Sequence, residues 1–322
     1  MIKWYAGGLL LALGLTDAAS AVAQAVPSPV ENIDFIVTFG AQAPARWGDD
    51  DHTQTFFFLV PQNRREPFYI RVFDPDCGGK NDEVRGSFNT RTSFSLYGGP
   101  GTHSEPDARS TTPQGKYRAG TLLKTQTFGS EPTYDGKWYT FGPLNPLAGE
   151  LVPEFGGYVF KVIAQGVSGD DGNLYRYFLS TSSSSNVPVE GGNAFTYEYS
   201  FRLLSQRSSR THLYPFVNDR VVSIKQSNFD LDDAADIKIF SVAKNGHPAA
   251  VSGDNQWKSS THTVGDQEHG LSLDMQVTSR SRASNDLVFY VTDQYDTALP
   301  FFAVPLGGPP KYNYDIDVKV RR

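Results

Sequence analysis

Clusters of aspartate residues are the features of this sequence that could do chemistry. Asp49-Asp50-Asp51 precedes one apolar run, Asp74-Pro75-Asp76 follows another, and Asp170-Asp171 lies between two more. Neighbouring carboxylates repel, so several of them at one loop end favour a bound cation. Ca²⁺ takes roughly six to eight oxygen ligands and needs no Cys or His, so we predict Ca²⁺ as a cofactor. The predicted ligands are Asp49, Asp51, Asp74, Asp76, Asp82, Asp170 and Asp171.

The same aspartates have a second interpretation, because Asp is common in turns, where its side chain accepts hydrogen bonds from nearby backbone amides. A further acidic stretch, Asp230-Leu231-Asp232-Asp233, has the Asp-x-Asp spacing of a calcium loop. It lacks the Gly and the terminal Glu of an EF-hand. This stretch is either a metal site or a polar turn before a strand.

Residue patterns typical of catalysis are weaker. The chain has six His but no His-Glu-x-x-His motif, and Gly166–Asp170 lacks the last Gly of a nucleophile elbow. We therefore predict no catalytic residues. The alternative function is a secreted hydrolase that acts on polysaccharide. A cleft that holds two carboxylates beside a Trp would favour the hydrolase, whereas carboxylates confined to strand-end loops would favour a binding module.

Aromatic residues in predicted loops are candidates for ligand binding, since Trp and Tyr stack on sugar rings or anchor protein partners. The candidates are Trp47, Trp138 and Trp257. Alternatively, these rings plug the open ends of the fold. We expect a carbohydrate or protein ligand at the cell exterior. The net charge of -6 disfavours a nucleic-acid partner.

Alternation of apolar and polar residues predicts β-strands along most of the chain. The 22 Phe and 16 Tyr, beside 30 Gly and 20 Pro, also favour strands and turns over helices. Thr55–Val60 is a continuous apolar run, which predicts a strand buried on both faces. The predicted strands lie near 33–39, 54–60, 68–73, 87–97, 117–126, 157–165, 174–181, 194–204, 220–226, 236–243, 271–279, 286–293 and 312–320.

These strands determine which acidic loops meet. We expect 54–60 and 68–73 to form an antiparallel hairpin, which would bring the loops around Asp49 and Asp74 into one site at one pole of the sheet. The Asp170 loop reaches that pole only if an odd number of strands intervenes. That condition requires Lys137–Phe141 to be a strand, and the sequence leaves this open.

The pattern predicts an all-β fold with two β-sandwich domains of jelly-roll or immunoglobulin-like type. Ser205–Thr211 is polar and free of apolar residues, so we place the domain boundary there. The first domain spans 26–205 and the second spans 206–322. We expect a fragment that ends near Ser205 to fold by itself.

One part of the first domain resembles a known family. The strand Tyr69-Ile70-Arg71-Val72-Phe73-Asp74 is followed by an acidic, Gly-bearing loop and then by Phe94-Ser95-Leu96-Tyr97. This pattern resembles the bacterial pre-peptidase C-terminal domain, although the first domain here is much longer. The resemblance implies a calcium-stabilised, jelly-roll-like module of a secreted protein. It also implies that Asp74, Asp76 and Asp82 correspond to the calcium ligands of the family.

The N-terminal residues predict export. Lys3, the apolar stretch Ala6–Leu15 and the small residues before position 26 form the pattern of a cleaved signal peptide over 1–25. No later segment has about 18 consecutive apolar residues, so we expect no transmembrane segment. Cys77 is the only cysteine, which excludes an intramolecular disulfide. Together with the absence of an Asn-x-Ser/Thr sequon, these features predict a bacterial protein that is secreted, periplasmic or bound at the cell surface.

Overall fold

The computed structural model describes residues 24–109, 118–283 and 285–308. Most of the predicted signal peptide and the strand expected at 312–320 lie outside these residues. The described part of the chain holds no helix with the length and hydrophobicity that a membrane span requires.

The described residues form 22 β-strands and five short 3₁₀ helices, without an α-helix. The strands are β1 Ala25–Val26, β2 Ile36–Phe39, β3 Thr53–Pro61, β4 Phe68–Phe73, β5 Arg91–Gly98, β6 Thr121–Phe128, β7 Trp138–Leu144, β8 Glu150–Val152, β9 Gly157–Ser168, β10 Gly172–Ser180, β11 Asn193–Thr196, β12 Glu198–Leu203, β13 Arg210–Leu213, β14 Phe216–Val217, β15 Ser223–Phe229, β16 Ala235–Phe240, β17 Asn245–Ala249, β18 Trp257–Thr263, β19 Leu271–Ser272, β20 Asp274–Ser279, β21 Asn285–Asp293 and β22 Phe301–Phe302. The 3₁₀ helices are Ala45–Trp47, Pro106–Arg109, Pro146–Ala148, Pro153–Phe155 and Asp266–Glu268. The all-β fold class that the alternation predicts is confirmed.

Two sheets form the first sandwich. One runs in the order β12, β2, β10, β4, β7, and the other in the order β22, β11, β3, β9, β5, β6. Aromatic side chains fill the space between the sheets. Phe56 of β3 contacts Tyr177 of β10 at a ring separation of 5.9 Å, and Phe94 of β5 lies edge-on to Tyr175 at 5.0 Å.

The second sandwich extends the first of these sheets. Beyond β12 the sheet continues through β21, β15 and β18, and a separate sheet of β13, β20, β16 and β17 supplies the other layer. The apolar side chains of both layers, such as Ile237, Met275 and Phe289, belong to the same hydrophobic core as Phe56 and Tyr199 of the first sandwich. One core therefore runs through both halves of the molecule.

The predicted boundary at 205/206 falls between β12 and β13, where the chain passes from the first sandwich to the second. The two sandwiches are nevertheless joined by backbone pairing across that boundary. β12 pairs with β21 from Glu198↔Tyr290 to Leu203↔Asn285, and β11 pairs with β22. A continuous sheet thus connects the ranges 26–205 and 206–322.

The prediction of a hairpin between 54–60 and 68–73 is wrong. β3 pairs with β9 and β11, whereas β4 pairs with β10 and β7 in the opposite sheet. The segment 62–67 therefore crosses between the sheets and does not close a hairpin. Hydrophobicity alone cannot distinguish these two connections, because a strand pair within one sheet and a pair facing across the core bury the same residues.

The two-sided burial predicted for Thr55–Val60 is confirmed. Phe56, Phe58 and Val60 point into the core between the sheets. Phe57 and Leu59 belong to a second cluster on the outer face of the same sheet. Val159 of β9, Phe195 of β11 and Phe302 of β22, which lie in the same sheet, also belong to the second cluster.

Candidate metal centre

Asp74 is the first residue after β4, and its backbone is left-handed with a φ of 57°. Its Oδ1 accepts a hydrogen bond from the Gly136 amide at 2.8 Å, and its Oδ2 accepts one from the Asn81 side chain. These bonds tie the loop after β4 to the turn before β7. Asp74 is thereby held, almost fully buried, at the pole where β4 ends.

Two carboxylates beside Asp74 each have a buried oxygen without a hydrogen-bond partner among the described residues. These oxygens are Asp76 Oδ1 and Asp135 Oδ1. The other oxygen of Asp76 accepts a hydrogen bond from the Tyr134 amide at 2.6 Å. One carboxylate oxygen from each of Asp74, Asp76 and Asp135 lies within 4.8 Å of the other two. We call these three residues the acidic centre.

Gly79 provides the space beside the acidic centre. Its φ is +74°, and a Cβ atom at this position would lie 2.4 Å from Asp135 Oδ2. A Cβ atom at Gly78 would lie 3.6 Å from both Asp135 Oδ1 and the backbone oxygen of Ser130. The backbone oxygen of Ser130 and the Asp135 carboxylate therefore both lie beside Gly78, and a side chain at Gly79 would collide with that carboxylate.

The electrostatics of the acidic centre are unfavourable without a cation. Burial raises the pKa of Asp74 and of Asp76, and the negative charge of Asp135 raises both further. Burial also raises the pKa of the adjacent Asp82 to about 8. The donor atoms are all oxygens, which fits a hard cation such as Ca²⁺. Burial raises the pKa of the neighbouring Cys77 thiol, so this buried side chain stays protonated.

Asp135 is the member of the acidic centre that the sequence analysis missed. In the sequence, Asp135-Gly136 indicates only a turn before the run that begins at Trp138. Lys137–Phe141 lies almost entirely within β7, which pairs antiparallel to β4. A strand antiparallel to β4 begins at the pole where β4 ends. A prediction that Lys137–Phe141 pairs with β4 would therefore have placed Asp135 beside Asp74.

Asp49 and Asp51 lie outside the acidic centre. Asp49 accepts hydrogen bonds from the backbone amides of Phe39 and His52, each at 2.7 Å. Asp51 accepts one from the Thr53 amide at 2.8 Å. Both carboxylates thus stabilise the turn that leads into β3. The expected union of Asp49 with the Asp74 loop depended on the hairpin, which does not form.

Asp82, Asp170 and Asp171 attach neighbouring loops to each other. Asp82 accepts hydrogen bonds from the amides of Leu174 and Gly78, at 2.6 and 2.7 Å. Asp171 accepts three from backbone amides in the loop 85–90, at 2.7, 2.8 and 3.2 Å. Asp170 accepts one from the Asn89 side chain at 3.2 Å. The Asp170 loop therefore lies at the same pole as the Asp74 loop, and its carboxylates organise that pole.

A second acidic group consists of Asp230, Asp232 and Asp254, whose carboxylate oxygens also lie close together. Asp230 is buried and accepts a hydrogen bond from the Asn255 amide at 2.6 Å, while Asp232 and Asp254 are exposed. None of the buried, unpartnered oxygens found among the described residues belongs to this group. The group therefore lacks the feature that distinguishes the acidic centre.

Glu198 has part of the environment that a hydrolase would need. Burial and the negative charges of Asp51, Asp50 and Asp49 raise its pKa, and the indole of Trp257 donates a hydrogen bond to Asp50 at 3.1 Å. The cavity beside Glu198 measures only about 10 Å³. That volume holds roughly one water molecule, so a sugar ring cannot enter it.

The three candidate Trp residues have different surroundings. The Arg85 guanidinium covers the ring of Trp47 at 4.1 Å, and Trp257 packs against Tyr290 at 5.1 Å. Trp138 carries the Arg71 guanidinium at 4.9 Å and lines a groove of about 490 Å³. Trp47 and Trp257 therefore contribute to packing, and Trp138 also faces space that a ligand can enter.

No family model matches this chain, and no curated protein matches it. The chain is weakly similar to the solved CUB1-EGF-CUB2 domain of human MASP-1/3, with 11% identity over 80% of this chain and 99% of that chain and a TM-score of 0.19. Structures of Macrobrachium rosenbergii nodavirus and of the T13 IBDV viral particle match with 7% and 10% identity and TM-scores of 0.17 and 0.15. They cover 82% and 78% of this chain, and 88% and 71% of their own chains. TM-scores this low carry no functional argument.

Proposed function

We propose that this chain is an exported, non-enzymatic β-sandwich protein with a binding or structural role at the cell exterior, and that Ca²⁺ at the acidic centre stabilises it. The signal-peptide pattern supports export. The position of the acidic centre in strand-end loops favours a binding module over the hydrolase, and the cavity beside the buried Glu198 is too small for a sugar. A relationship to pre-peptidase C-terminal domains is part of this proposal, since Asp74 and Asp76 are the residues that the resemblance assigns to calcium.

One observation carries the calcium proposal. Asp76 is 2% exposed, and its Oδ1 is buried without a hydrogen-bond partner among the described residues. One of its carboxylate oxygens also lies within 4.8 Å of carboxylate oxygens of Asp74 and Asp135. A buried acceptor without a donor costs roughly 1–3 kcal/mol, and nearby like charges add to that cost. A divalent cation satisfies the orphaned oxygens and neutralises the repulsion in one step.

Thermal unfolding tests this proposal. At about 100-fold excess over its dissociation constant, Ca²⁺ should stabilise the native state by roughly 2.7 kcal/mol, which raises the melting temperature by about 5 °C relative to EDTA. The measurement is a thermal melt of the full chain in EDTA, in millimolar Ca²⁺ and in millimolar Mg²⁺. Mg²⁺ should have a smaller effect, because it demands a tighter octahedral site than these loops provide.

Three variants localise the effect. Asp76→Asn and Asp135→Asn should each abolish most of the calcium-dependent rise. Asp170→Asn is the matched control, because Asp170 lies in an acidic loop at the same pole but outside the acidic centre, and this variant should keep the full rise. Equal melting temperatures of the wild type in EDTA and Ca²⁺ would refute the calcium site.

A further inference from the structure

A large cavity lies where the two sandwiches meet. Its volume is about 710 Å³, and residues from both sides of the predicted boundary line it. His103, Arg109 and Tyr197 come from the first sandwich, and Arg220 and Tyr295 come from the second. Cavities of this size at domain junctions are typical binding sites for small ligands.

The wall of this cavity in the first sandwich is rigid and buried. His103 is 6% exposed, and its Nε2 shares a hydrogen bond of 2.7 Å with the hydroxyl of Tyr197. The His103 ring lies edge-on to Phe57 and Phe155, at 5.7 and 5.4 Å. Burial lowers the pKa of His103 to about 4, so the imidazole is neutral at physiological pH. The wall is therefore preorganised, and His103 adds no charge to it.

Arg109 and Arg220 supply the positive charges of the lining, and Arg109 is the more buried of the two. Its positive charge acts on the Tyr197 hydroxyl, and its Nε is buried without an acceptor among the described residues. Arg109 does not appear in any ion pair formed by the described residues. The segment 110–117 that follows it in the sequence contains no Asp or Glu. A half-buried guanidinium that forms no ion pair with the described residues is costly to desolvate, and a planar anionic group such as a carboxylate fits its geometry.

The remaining lining suits the ring and hydroxyl groups of a sugar. Tyr295 is 79% exposed at the cavity, and Phe155 and Phe216 add aromatic surface. Aromatic faces of this kind stack on the apolar side of a pyranose ring. Three acidic residues, Glu154, Asp219 and Asp293, also line the cavity. Asp293 accepts hydrogen bonds from the backbone amides of Tyr295 and Thr297, and the carboxylates of Glu154 and Asp219 can accept hydrogen bonds from sugar hydroxyls.

We infer that this junction cavity binds an acidic oligosaccharide, with a uronic-acid carboxylate on Arg109 and a sugar ring stacked on Tyr295. This inference deepens the binding role proposed above and is independent of the calcium site. The mixed lining explains the choice of ligand: Arg109, with Arg220 on the opposite side of the junction, attracts the carboxylate, and aromatic and acidic side chains contact the ring and hydroxyl groups of the sugar.

Isothermal titration of the full chain tests this inference. The probes are a trimer of galacturonic acid and the matching neutral trimer of galactose, both in excess EDTA so that calcium bridging cannot contribute. The acidic trimer should bind at least about tenfold more tightly than the neutral one, and its affinity should fall as NaCl is added. Equal affinity for the two trimers, or no binding of either, would overturn the inference.

Variants connect binding to the named residues. Arg109→Gln should remove most of the preference for the acidic trimer over the neutral trimer. Tyr295→Ala, at a surface position where folding is not at risk, should weaken both trimers by a similar factor. Arg65→Gln, at an exposed arginine in the loop 62–67, is the matched control and should change neither. If both cavity variants bind like the wild type, the cavity is not the site.

The calcium-dependent melt separates this result from a failure of the calcium proposal, because the acidic centre does not take part in these titrations.

Discussion

At the scale of single residues, buried carboxylates determine how the stability of this protein depends on pH. Glu31 is 1% exposed; its Oε2 accepts hydrogen bonds from the Ser28 amide at 2.6 Å and from the Tyr199 hydroxyl at 3.3 Å. Burial nevertheless raises the pKa of Glu31 to about 8. Between about pH 4.5 and pH 8 the unfolded chain releases this proton while the native state keeps it. Stability is therefore lost as pH rises through that window.

Glu31→Gln, which mimics the protonated form, should remove this contribution. We expect the free energy of unfolding to fall less between pH 5 and pH 8 in Glu31→Gln than in the wild type, by about 2–4 kcal/mol. The measurement is urea unfolding at both pH values in EDTA. The Glu105→Gln variant, at an exposed position, should lose as much free energy of unfolding between pH 5 and pH 8 as the wild type. If Glu31→Gln also loses as much free energy of unfolding as the wild type, Glu31 does not cause the pH dependence.

At the scale of elements, β3 is the strand on which both hydrophobic clusters depend. Phe58 lies in the core between the sheets, and Phe57 stacks on Phe195 in the outer cluster at 5.0 Å. We expect Phe57→Ala and Phe58→Ala each to lower the free energy of unfolding by about 3–5 kcal/mol, since both leave a cavity. Leu122→Ala in β6, where Leu122 is 54% exposed, should cost under about 1 kcal/mol in the same denaturant titration. A small loss for Phe57→Ala would mean that the outer cluster contributes little to stability.

At the scale of the whole molecule, the shared sheet determines whether the sandwiches can be separated. A fragment of residues 24–205 would expose the edge of β12 that pairs with β21, and β11 would lose β22. We expect this fragment to aggregate or to remain partly unfolded, because unpaired, apolar strand edges favour association. Size-exclusion chromatography and far-UV circular dichroism of the fragment and of the chain from residue 24 check this outcome. A monomeric, cooperatively folding fragment would support the independent domains expected from the polar segment at 205–211.

Much of the fold could be predicted because strand patterning is local. The alternation at 68–73 and the continuous apolar run at 55–60 each reflect burial of that segment alone, so β3 and β4 appear where they were expected. The acidic centre could be predicted in part for the same reason: Asp74 and Asp76 follow a strand directly in the sequence.

Pairing between strands distant in the sequence was decided only by the tertiary structure. Hydrophobicity shows that a strand is buried but not which neighbour supplies its hydrogen bonds, so the same pattern is compatible with a hairpin and with strands in opposite sheets. Asp135 meets Asp76 only through the pairing of β4 with β7, and the cavity at Arg109 exists only because a shared sheet joins the two sandwiches. The sequence by itself determined the class of the fold and the chemistry of its loops, because both are local properties. Which loops meet depends on contacts between residues far apart in the chain, and those are established only when the whole core forms.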